Sequence, residues 1–450
     1  MLCKIKKNSV IFVSNFFQSM LVKKKKVNII TLGCSKNLVD SEMLSGQLKY
    51  GPYEVIHDSD ENADIVIINT CGFIHDAKEQ SVQTILEQVQ LREEGKIEKL
   101  IVTGCLSERY KKELPAEIPE VDAYFGNHHL KDILNYLKVD FKKELIGERL
   151  LATPPHYAYL KISEGCDRKC AFCAIPLIRG AHKSVPMEQL VAQAEKLASQ
   201  GVKELMLIAQ DLTFYGLDIY GKRQLAQLLK KLSRVDGIQW IRLHYMYPAG
   251  FPDDVLDIMR DEPKVCNYVD IPLQHIDDEI LRSMNRGAGE KQTRKLIRKI
   301  KERIPGVHIR TTFIVGYPGE TEEKFEKLTD FVKEMEFDRV GVFTYSHEED
   351  TPAYKLTDHI PEQIKEERKN RLLDLQTEIS KRKNQAKIGK TMPVIIDARY
   401  GNEYLARTEF DSPEVDNEVH IITDRILTPG KFAEVKIIDA DAFDLWGELI

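Results

Sequence analysis

Long apolar segments and a dense cysteine pattern are both missing from this chain of 450 residues. No run approaches the roughly 18 consecutive apolar residues that a membrane-spanning helix requires. The eight cysteines are too few for the disulfide framework of a secreted protein. Glycine and proline, at 25 and 18 residues, are neither dominant nor periodic, which excludes fibrous and low-complexity classes. The remaining expectation is a globular protein of the cytoplasm.

A strong excess of charge of one sign is also lacking. The chain has 65 Lys and Arg residues against 71 Asp and Glu residues, and its net charge is -6. This balance excludes a uniformly basic surface for nucleic acid, although it leaves local patches open. At roughly 150 residues per domain, the length predicts about three domains.

The first 25 residues differ from the rest of the chain. An apolar patch at residues 10–13 follows several lysines, as in a signal peptide, but it is short and lacks a small-residue cleavage site. A basic run at residues 23–26 comes next. We expect residues 1–25 to be a disordered extension or a mis-assigned start, with Met20 as the alternative start.

Apolar, β-rich runs alternate with helical patterns from residue 27 onward. Three such runs, at 27–32, 63–69 and 99–103, are separated by helical patterns at 38–50 and 77–92. Strands separated by helices indicate βαβ units and a parallel sheet. Residues 26–148 are therefore predicted to be an α/β domain with a doubly wound parallel sheet.

The same alternation restarts after Pro154 and Pro155, and this double proline indicates a domain boundary near residue 150. Six further strands are predicted, at 157–162, 204–208, 240–243, 268–271, 308–314 and 339–343. Six βα units are fewer than the eight of a complete barrel. Residues 149–382 are therefore predicted to be a partial (βα)6 barrel.

A charged helix and a set of short strands complete the chain. Residues 361–390 keep apolar side chains on one helical face. From residue 391, short strands alternate with turn residues and no helical pattern is evident. Residues 383–450 are predicted to be a small antiparallel β-barrel.

Three cysteines lie close together just after the first predicted strand of the partial barrel. Cys166, Cys170 and Cys173, here called the barrel triplet, are spaced C-x3-C-x2-C. Ligands collect at the carboxyl ends of barrel strands, and three thiolates can hold three irons of a [4Fe–4S] cluster. A structural zinc site needs a fourth ligand, and no further Cys or His lies close by.

This spacing, after a strand that opens a βα barrel, resembles the radical S-adenosylmethionine (SAM) superfamily over about residues 151–380. The resemblance implies that the cluster binds SAM and cleaves it to a 5′-deoxyadenosyl radical, with electrons from an external donor. The runs at 271–275 and 313–321 are similar to family motifs, whereas Ile208-Ala209-Gln210-Asp211 stands where Gly-Gly-Glu is common. The SAM contacts that the resemblance implies are Phe172, Gln210, Gln274, Gly316 and Glu320.

Three more cysteines are far apart in sequence but share one structural position. Cys34, Cys71 and Cys105, here called the N-terminal triplet, each follow one of the first three strands. Because the carboxyl ends of parallel strands meet at one edge of a sheet, the three thiols are expected to meet there. Flanking glycines let the backbone approach a bulky group closely. Three buried core cysteines are the alternative, and this is how we interpret Cys266.

Two three-thiol sets on two parallel-sheet domains, followed by a small β-barrel, resemble the methylthiotransferases. The resemblance covers the chain from about residue 26 and identifies the last domain as a TRAM domain. It implies a second [4Fe–4S] cluster, on the N-terminal triplet, that carries the sulfur. It also implies two uses of SAM, one as the methyl donor and one as the radical source. The product is a methylthio group on an unactivated carbon.

The charge of the last domain favours a protein substrate. Residues 391–450 hold five basic and thirteen acidic residues, a net charge of -8, which repels RNA and attracts a basic partner. The runs at 33–42 and 71–74 resemble the family branch that modifies the β-carbon of an aspartate in small-subunit ribosomal protein uS12, a basic protein. The acidic residues expected to dock it from a loop rim are Asp411, Glu414, Asp416 and Glu418.

Two other functions stay open. A transfer-RNA adenosine methylthiotransferase would bind RNA in a salt-sensitive way through its last domain. A zinc-stabilised binding module would be colourless and would not cleave SAM. Tyr245 and Tyr247 are explained equally well by substrate contact and by core packing. Beyond the six cysteines, no catalytic residue is identified.

Overall fold

The computed structural model describes residues 24–142 and 147–450. Apart from its last two residues, the expected extension at 1–25 lies outside the described residues, and Lys25 already belongs to the first strand. Two parallel sheets and a closed barrel follow in chain order. Across the described ranges, no helix is both long and apolar enough to cross a membrane.

A five-stranded parallel sheet with helices on both faces forms the N-terminal domain. Its strands are β1 (Lys25–Thr31), β2 (Tyr53–His57), β3 (Ile65–Thr70), β4 (Lys99–Gly104) and β5 (Ala123–Tyr124). Its helices are α1 (Ser35–Leu48), α2 (His75–Glu93), α3 (Cys105–Arg109), α4 (Glu113–Glu117) and α5 (Leu130–Tyr136).

The strand order of this sheet is β2-β1-β3-β4-β5, and every neighbouring pair is parallel. Strand β3 is buried at every position, as expected for a central strand covered on both faces. One face packs against α2, and the other packs against α1 and α5. The predicted doubly wound sheet is therefore confirmed. The sequence pattern did not predict β2, an incompletely buried edge strand, or β5, which has two residues.

An open six-stranded parallel sheet forms the central domain, in the order β6-β9-β10-β11-β12-β13. The strands of this part of the chain are β6 (Tyr157–Lys161), β7 (Ser163–Glu164), β8 (Lys183–Ser184), β9 (Glu204–Ile208), β10 (Trp240–Leu243), β11 (Val265–Asp270), β12 (His308–Val315) and β13 (Arg339–Thr344). Strands β7 and β8 form a separate antiparallel pair. The predicted partial barrel is confirmed.

Helices cover the outer face of this sheet and leave its inner face more polar. They are α6 (Ile175–Arg179), α7 (Met187–Ser199), α8 (Leu217–Tyr220), α9 (Leu225–Leu232), α10 (Asp253–Asp261), α11 (Asp278–Ser283), α12 (Glu290–Arg303) and α13 (Glu322–Met335). In β12, the buried positions Ile309 and Phe313 belong to the helix-covered core, while Arg310 on the other face is only partly buried. This alternation follows the two-residue period of a strand.

A long helix and a closed five-stranded barrel end the chain. Helix α14 (Glu362–Gln385) packs along β13. The barrel consists of β14 (Thr391–Tyr400), β15 (Glu403–Thr408), β16 (Val419–Ile422), β17 (Phe432–Ala440) and β18 (Leu445–Leu449). All its pairs are antiparallel except β16 with β18. The domain limits at 148/149 and 382/383 stay predictions, and α14 runs across the second.

The segment that joins β15 to β16, residues 409–418, reaches into the central barrel, and we call it the plug loop. Its polar groups contact side chains that point inward from the barrel strands. The contacts are Glu409 O with Arg242, Asp411 with Arg339, Ser412 with His244, Glu414 with Tyr157, and Asp416 with Tyr268. The plug loop therefore ties the C-terminal barrel to the central domain.

Candidate active site between the two parallel sheets

The N-terminal triplet occupies the carboxyl ends of three adjacent strands, β1, β3 and β4. Cys34 precedes α1, Cys71 directly follows β3, and Cys105 is the first residue of α3. Gly33, with φ +92°, lies against Cys71, and a Cβ added to it would be 2.8 Å from the Cys71 Sγ atom. The glycine thus lets the β1 end approach the Cys71 thiol. The structure brings these three predicted residues together.

Burial dominates the chemistry of this triplet. Burial, together with the neighbouring Cys34 and Cys71 and against the opposing Arg179, raises the pKa of Cys105 to about 12. Burial also raises the pKa of Cys71. Such thiols stay protonated at neutral pH unless a metal centre displaces their protons. The donor set is therefore suited to a soft metal centre that binds thiolates.

The barrel triplet lies on the loop that follows β6 and β7. The Arg286 guanidinium donates to the Cys170 Sγ atom at 3.2 Å, and the Arg168 backbone N–H donates to the Cys166 Sγ atom at 3.4 Å. Burial raises the pKa of Cys166 to about 11 and that of Cys173 to about 12. Hydrogen bonds to cluster sulfurs tune iron–sulfur centres, so this environment fits a [4Fe–4S] cluster.

A single metal ion fits neither triplet. Among the described residues, no three His, Cys, Asp or Glu side chains converge closely enough to ligate one ion. A [4Fe–4S] cluster is wider than one ion and places its thiolates further apart. The arrangement therefore gives no support to the zinc alternative.

Helix α6 connects the two triplets. Cys105 packs against Ala174 and Ile178, and Ala174 directly follows Cys173. At the end of the same helix, Arg179 is only 2 % exposed, and it donates to the side chain of Asn37. The N-terminal and barrel triplets therefore face the same junction between the two sheets.

A charged network surrounds Arg179 at this junction. Its guanidinium pairs with Glu164 at 2.9 Å and with Asp40 at 3.2 Å. Lys161 pairs with the same two carboxylates, and Gln210 donates to Glu164 at 2.8 Å. Burial alone would raise the pKa of Glu164, but the Lys161 and Arg179 cations outweigh it and lower that pKa.

Gln210 and Gln274 both have an unsatisfied amide oxygen. Each side-chain Oε1 atom is buried and has no hydrogen-bond partner among the described residues. Gln274 has φ +74°, and its backbone N–H donates to Thr312 O at 2.8 Å. A buried polar atom without a partner is costly unless a ligand satisfies it. Both residues therefore stay predicted SAM contacts.

Glu320 organises the loop after β12 from inside the protein. Its carboxylate accepts from the backbone N–H groups of Gly316 at 2.5 Å and of Tyr317 at 3.2 Å. Burial outweighs the opposing Arg368 and raises the pKa of Glu320 to about 7. Gly316 has φ +71°, and a Cβ there would overlap the Lys365 side chain. Glu320 is thus placed to hold the loop, so its direct contact with SAM stays a prediction.

Phe172 lies between two residues of the barrel triplet in sequence. Its partly buried ring packs against the cluster of buried residues that includes Tyr317 and Tyr345. This places it beside the loop that Glu320 holds. Its contact with SAM also stays a prediction.

The prediction that four acidic residues form a docking rim on a loop is wrong for two of them. Asp411 is fully buried and pairs with Arg339 at 2.6 Å. The Asp416 carboxylate accepts from the Tyr268 hydroxyl at 2.7 Å, and its side chain is 0 % exposed. Both carboxylates hold the plug loop in the barrel because arginines and a tyrosine inside the barrel pair with them.

The other two acidic residues are more accessible. Glu414 is exposed, although its Oε1 atom accepts from the Tyr157 hydroxyl at 3.0 Å. Glu418 is partly buried, and burial together with Asp444 raises its pKa. Substrate docking at Glu414 and Glu418 stays a prediction.

The outward charge of the C-terminal barrel is smaller than its composition suggests. Residues 391–450 are all described, and six of their thirteen acidic residues are exposed beside four of their five basic ones. Other acidic residues of this barrel pair with arginines, as Asp397 does with Arg407. The net charge of -8 is therefore only partly expressed at the surface of this barrel.

Three basic residues at the junction were not predicted. Lys36 and Arg179 sit near cysteines in sequence, but a single basic residue carries no pattern that separates it from a surface lysine or arginine. Arg286 is 116 residues from Cys170 and follows a different strand. Only the tertiary structure shows what these cations contact.

Comparisons with known proteins define the class first. Residues 160–332 match the model described as "Radical SAM superfamily", residues 26–126 match "Uncharacterized protein family UPF0004", and residues 388–450 match "TRAM domain". The radical SAM methyltransferase TsrM from Kitasatospora setae shares the fold at a TM-score of 0.53 and 14% identity, over 73% of this chain and 77% of that chain. The protein is a radical SAM enzyme, a class that uses SAM and a [4Fe–4S] cluster.

Full-length relatives then identify the family. The chain is 58% identical to "Ribosomal protein uS12 methylthiotransferase RimO" of Christiangramia forsetii, over 95% of each chain. It is 51% identical to the protein of the same name from Bacteroides thetaiotaomicron, over 95% of this chain and 99% of the relative. The chain belongs to the RimO family of methylthiotransferases, which are transferases of a sulfur-containing group.

Proposed function

We propose that this chain adds a methylthio group to the β-carbon of an aspartate in ribosomal protein uS12. Two [4Fe–4S] clusters serve the reaction, one on the barrel triplet and one on the N-terminal triplet. The names of the full-length relatives support the substrate. The observation that carries the two-cluster proposal is the convergence of both triplets on helix α6.

The chain's own residues supply the setting for this chemistry. The cluster on the barrel triplet supplies, when bound, the electron that cleaves SAM, and an external donor replenishes that electron. Arg286 and the Arg168 backbone N–H donate to the barrel thiolates and hold them in place. The Arg179 guanidinium places a positive charge beside Cys105, which opposes the rise that burial causes in the pKa of that thiol.

Mass spectrometry tests the substrate. Ribosomal proteins and digested transfer RNA are compared between cells with the gene and cells without it. We expect a methylthio group on one aspartate of uS12 only when the gene is present. A gene-dependent methylthioadenosine in transfer RNA, with unmodified uS12, would instead establish the RNA alternative.

Iron content tests the two clusters. Anaerobic reconstitution is expected to give about eight irons per chain, and Cys166→Ala and Cys34→Ala are each expected to remove about half. Cys266→Ala is the matched control, because Cys266 is a buried core residue packed beside Trp240 and Tyr268. A Cys34→Ala variant that keeps all its iron would contradict the second cluster, and bound zinc in place of iron would contradict both.

A further inference from the structure

Lys36 has a largely buried side chain, and its ammonium group has no carboxylate partner among the described residues. It lies in the first turn of α1, two residues after Cys34, and is 8% exposed. Its Nζ atom lies 3.1 Å from the centroid of the Tyr245 ring. In the described ranges, no side chain or carbonyl group accepts a hydrogen bond from this ammonium.

The carboxylates around Lys36 are already paired with other cations. Asp40, on the same helix, pairs with Lys161 and Arg179. Glu42 pairs with Arg149 at 3.3 Å. Removing most of the water around a lysine side chain without pairing its ammonium to an anion is unfavourable, and a cation–π contact offsets only part of that cost. An anion supplied from outside the chain would complete this site.

Tyr245 is held firmly in position against Lys36. It follows β10 from the central domain and has φ +62°, an unusual conformation for a bulky residue. Its backbone N–H donates to the buried Asp270 carboxylate at 2.9 Å, which fixes this turn. Backbone strain of this kind persists where the surrounding structure imposes it, often at ligand sites.

Unpartnered hydroxyl groups lie in the same place. Tyr245 packs in one cluster with Tyr159 and Met206, whose side chains come from neighbouring strands of the barrel. Within the part of the chain that is described, neither tyrosine hydroxyl makes a hydrogen bond. The Lys36 ammonium therefore packs against a group of side chains that includes two phenol groups, and none of the three makes a hydrogen bond to a described residue.

We propose that Lys36, backed by Tyr245, binds the carboxylate of the substrate aspartate. The inference rests on the proposed function and names the subsite that selects its substrate. The carbon to be modified is one bond from the carboxylate carbon, so fixing the carboxylate beside Cys34 fixes that carbon at the N-terminal triplet. An uncharged base such as adenine offers no anionic group for this ammonium.

A double-mutant cycle across the two proteins tests the subsite. The binding constants of reconstituted wild-type enzyme and of Lys36→Met are measured with uS12 and with uS12 whose modified aspartate is changed to asparagine. Each single change is expected to weaken binding by about tenfold to a hundredfold, as for a charge-assisted hydrogen bond. Combining them is expected to cost no more than about twofold beyond one alone, because both remove the same contact.

Three controls separate a binding role from a structural one. Lys36→Arg keeps the charge and is expected to keep the preference for aspartate over asparagine. Lys49→Met changes an exposed lysine just after α1 and is expected to leave binding unchanged. Iron content and thermal unfolding of every variant report whether it is folded and loaded.

The outcomes also distinguish this subsite from the proposed function. Wild-type enzyme that modifies uS12 but binds the aspartate and asparagine forms equally well would overturn the subsite alone, and this comparison needs no enzyme variant. The subsite would also be overturned if the two losses of binding affinity multiplied when Lys36→Met was combined with the asparagine form of uS12. Wild-type enzyme that neither binds nor modifies uS12 would contradict the proposed function and the subsite with it.

Discussion

The buried side chain of Arg179 makes several contacts across the junction between the two sheets. Its guanidinium contacts Asn37 beside Cys34, pairs with two carboxylates, and lies close enough to Cys105 to lower the pKa of that thiol. Burial alone would lower the pKa of Arg179, but the Asp40 and Glu164 carboxylates contribute to a net rise in that pKa. The arginine therefore remains charged, and it connects the helix after the barrel triplet to the N-terminal domain.

Replacing this arginine tests its role at the residue scale. Arg179→Leu leaves Asp40 and Glu164 short of a cation, so we expect a loss of about 3 kcal/mol in unfolding free energy. Iron bound by the N-terminal triplet is expected to fall, while iron on the barrel triplet is retained. Arg179→Lys keeps the charge, so we expect it to lose less unfolding free energy and less iron from the N-terminal triplet. Chemical denaturation and iron analysis measure these effects. Unchanged iron content in Arg179→Leu would contradict a role for Arg179 in iron binding at the N-terminal triplet.

Residue patterns predicted the six cysteines and missed the cations around them. The cysteines could be predicted because spacing identifies the barrel triplet, and because each member of the N-terminal triplet follows an apolar run. Lys36 and Arg179 take their meaning from partners on another domain, Tyr245 and Asn37. No local pattern encodes such contacts, since they form only when the two sheets pack together.

At the scale of elements, a buried ion-pair network beside the plug loop also joins the C-terminal barrel to the central domain. Arg407 from β15 pairs with Glu204 at 2.8 Å, and Arg242 pairs with the same carboxylate at 2.7 Å. Burial alone would raise the pKa of Glu204, but these two arginines outweigh it and lower that pKa to about 2. A count of composition treats acidic residues such as Glu204 as surface charge, whereas the structure buries Glu204 inside the central barrel as the partner of two arginines.

Asp411→Asn tests the plug loop through its pH dependence. Burial alone would raise the pKa of Asp411, but Arg339 and Lys387 outweigh it and lower that pKa from 3.8 to about 2. Its contribution to stability is therefore complete above pH 3.8 and is lost as the pH falls towards 2. We expect Asp411→Asn to lose about 3 kcal/mol at pH 7, and less at pH 3.

The measurement is urea denaturation of wild type and variant at both pH values. Asp424→Asn is the control, because Asp424 is exposed in the same domain. The other titrating groups are the same in all three proteins, so their effect cancels when the unfolding free energies are compared at each pH. A deficit in Asp411→Asn that stayed the same at pH 3 and pH 7 would show that the ion pair with Arg339 is not its cause.

Strands were predicted better than the contacts between elements. Buried strands such as β3 and β9 stand out as continuous apolar runs, as expected in a parallel sheet. The edge strand β2 has no buried position and gives no such signal. The plug loop could not be predicted, because its partners come from strands as far apart in sequence as Tyr157 and Arg339.

For the whole molecule, the distribution of charge bears on the choice of partner. RNA binding requires an excess of exposed basic groups, because neutralising phosphates drives it. The C-terminal barrel exposes six acidic and four basic residues, and further acidic residues are partly exposed, so it offers no basic face. The proposed protein substrate agrees with this charge distribution, and we expect its specificity to come from the junction between the sheets.

A charge-reversal variant tests this conclusion. Glu434, Asp439 and Glu448 are exposed on β17 and β18, close to Lys436. Changing all three to lysine creates a basic face. We expect wild type to bind transfer RNA no more tightly than about 10⁻⁴ to 10⁻⁶ M at physiological salt, which is the range of non-specific binding. We expect the variant to bind at least about tenfold more tightly than wild type at low salt.

Binding of uS12 should change far less, since Lys36 and its surroundings are untouched. Filter binding at two salt concentrations measures both, and tight RNA binding by the wild type would show that the charge of this barrel does not decide the partner.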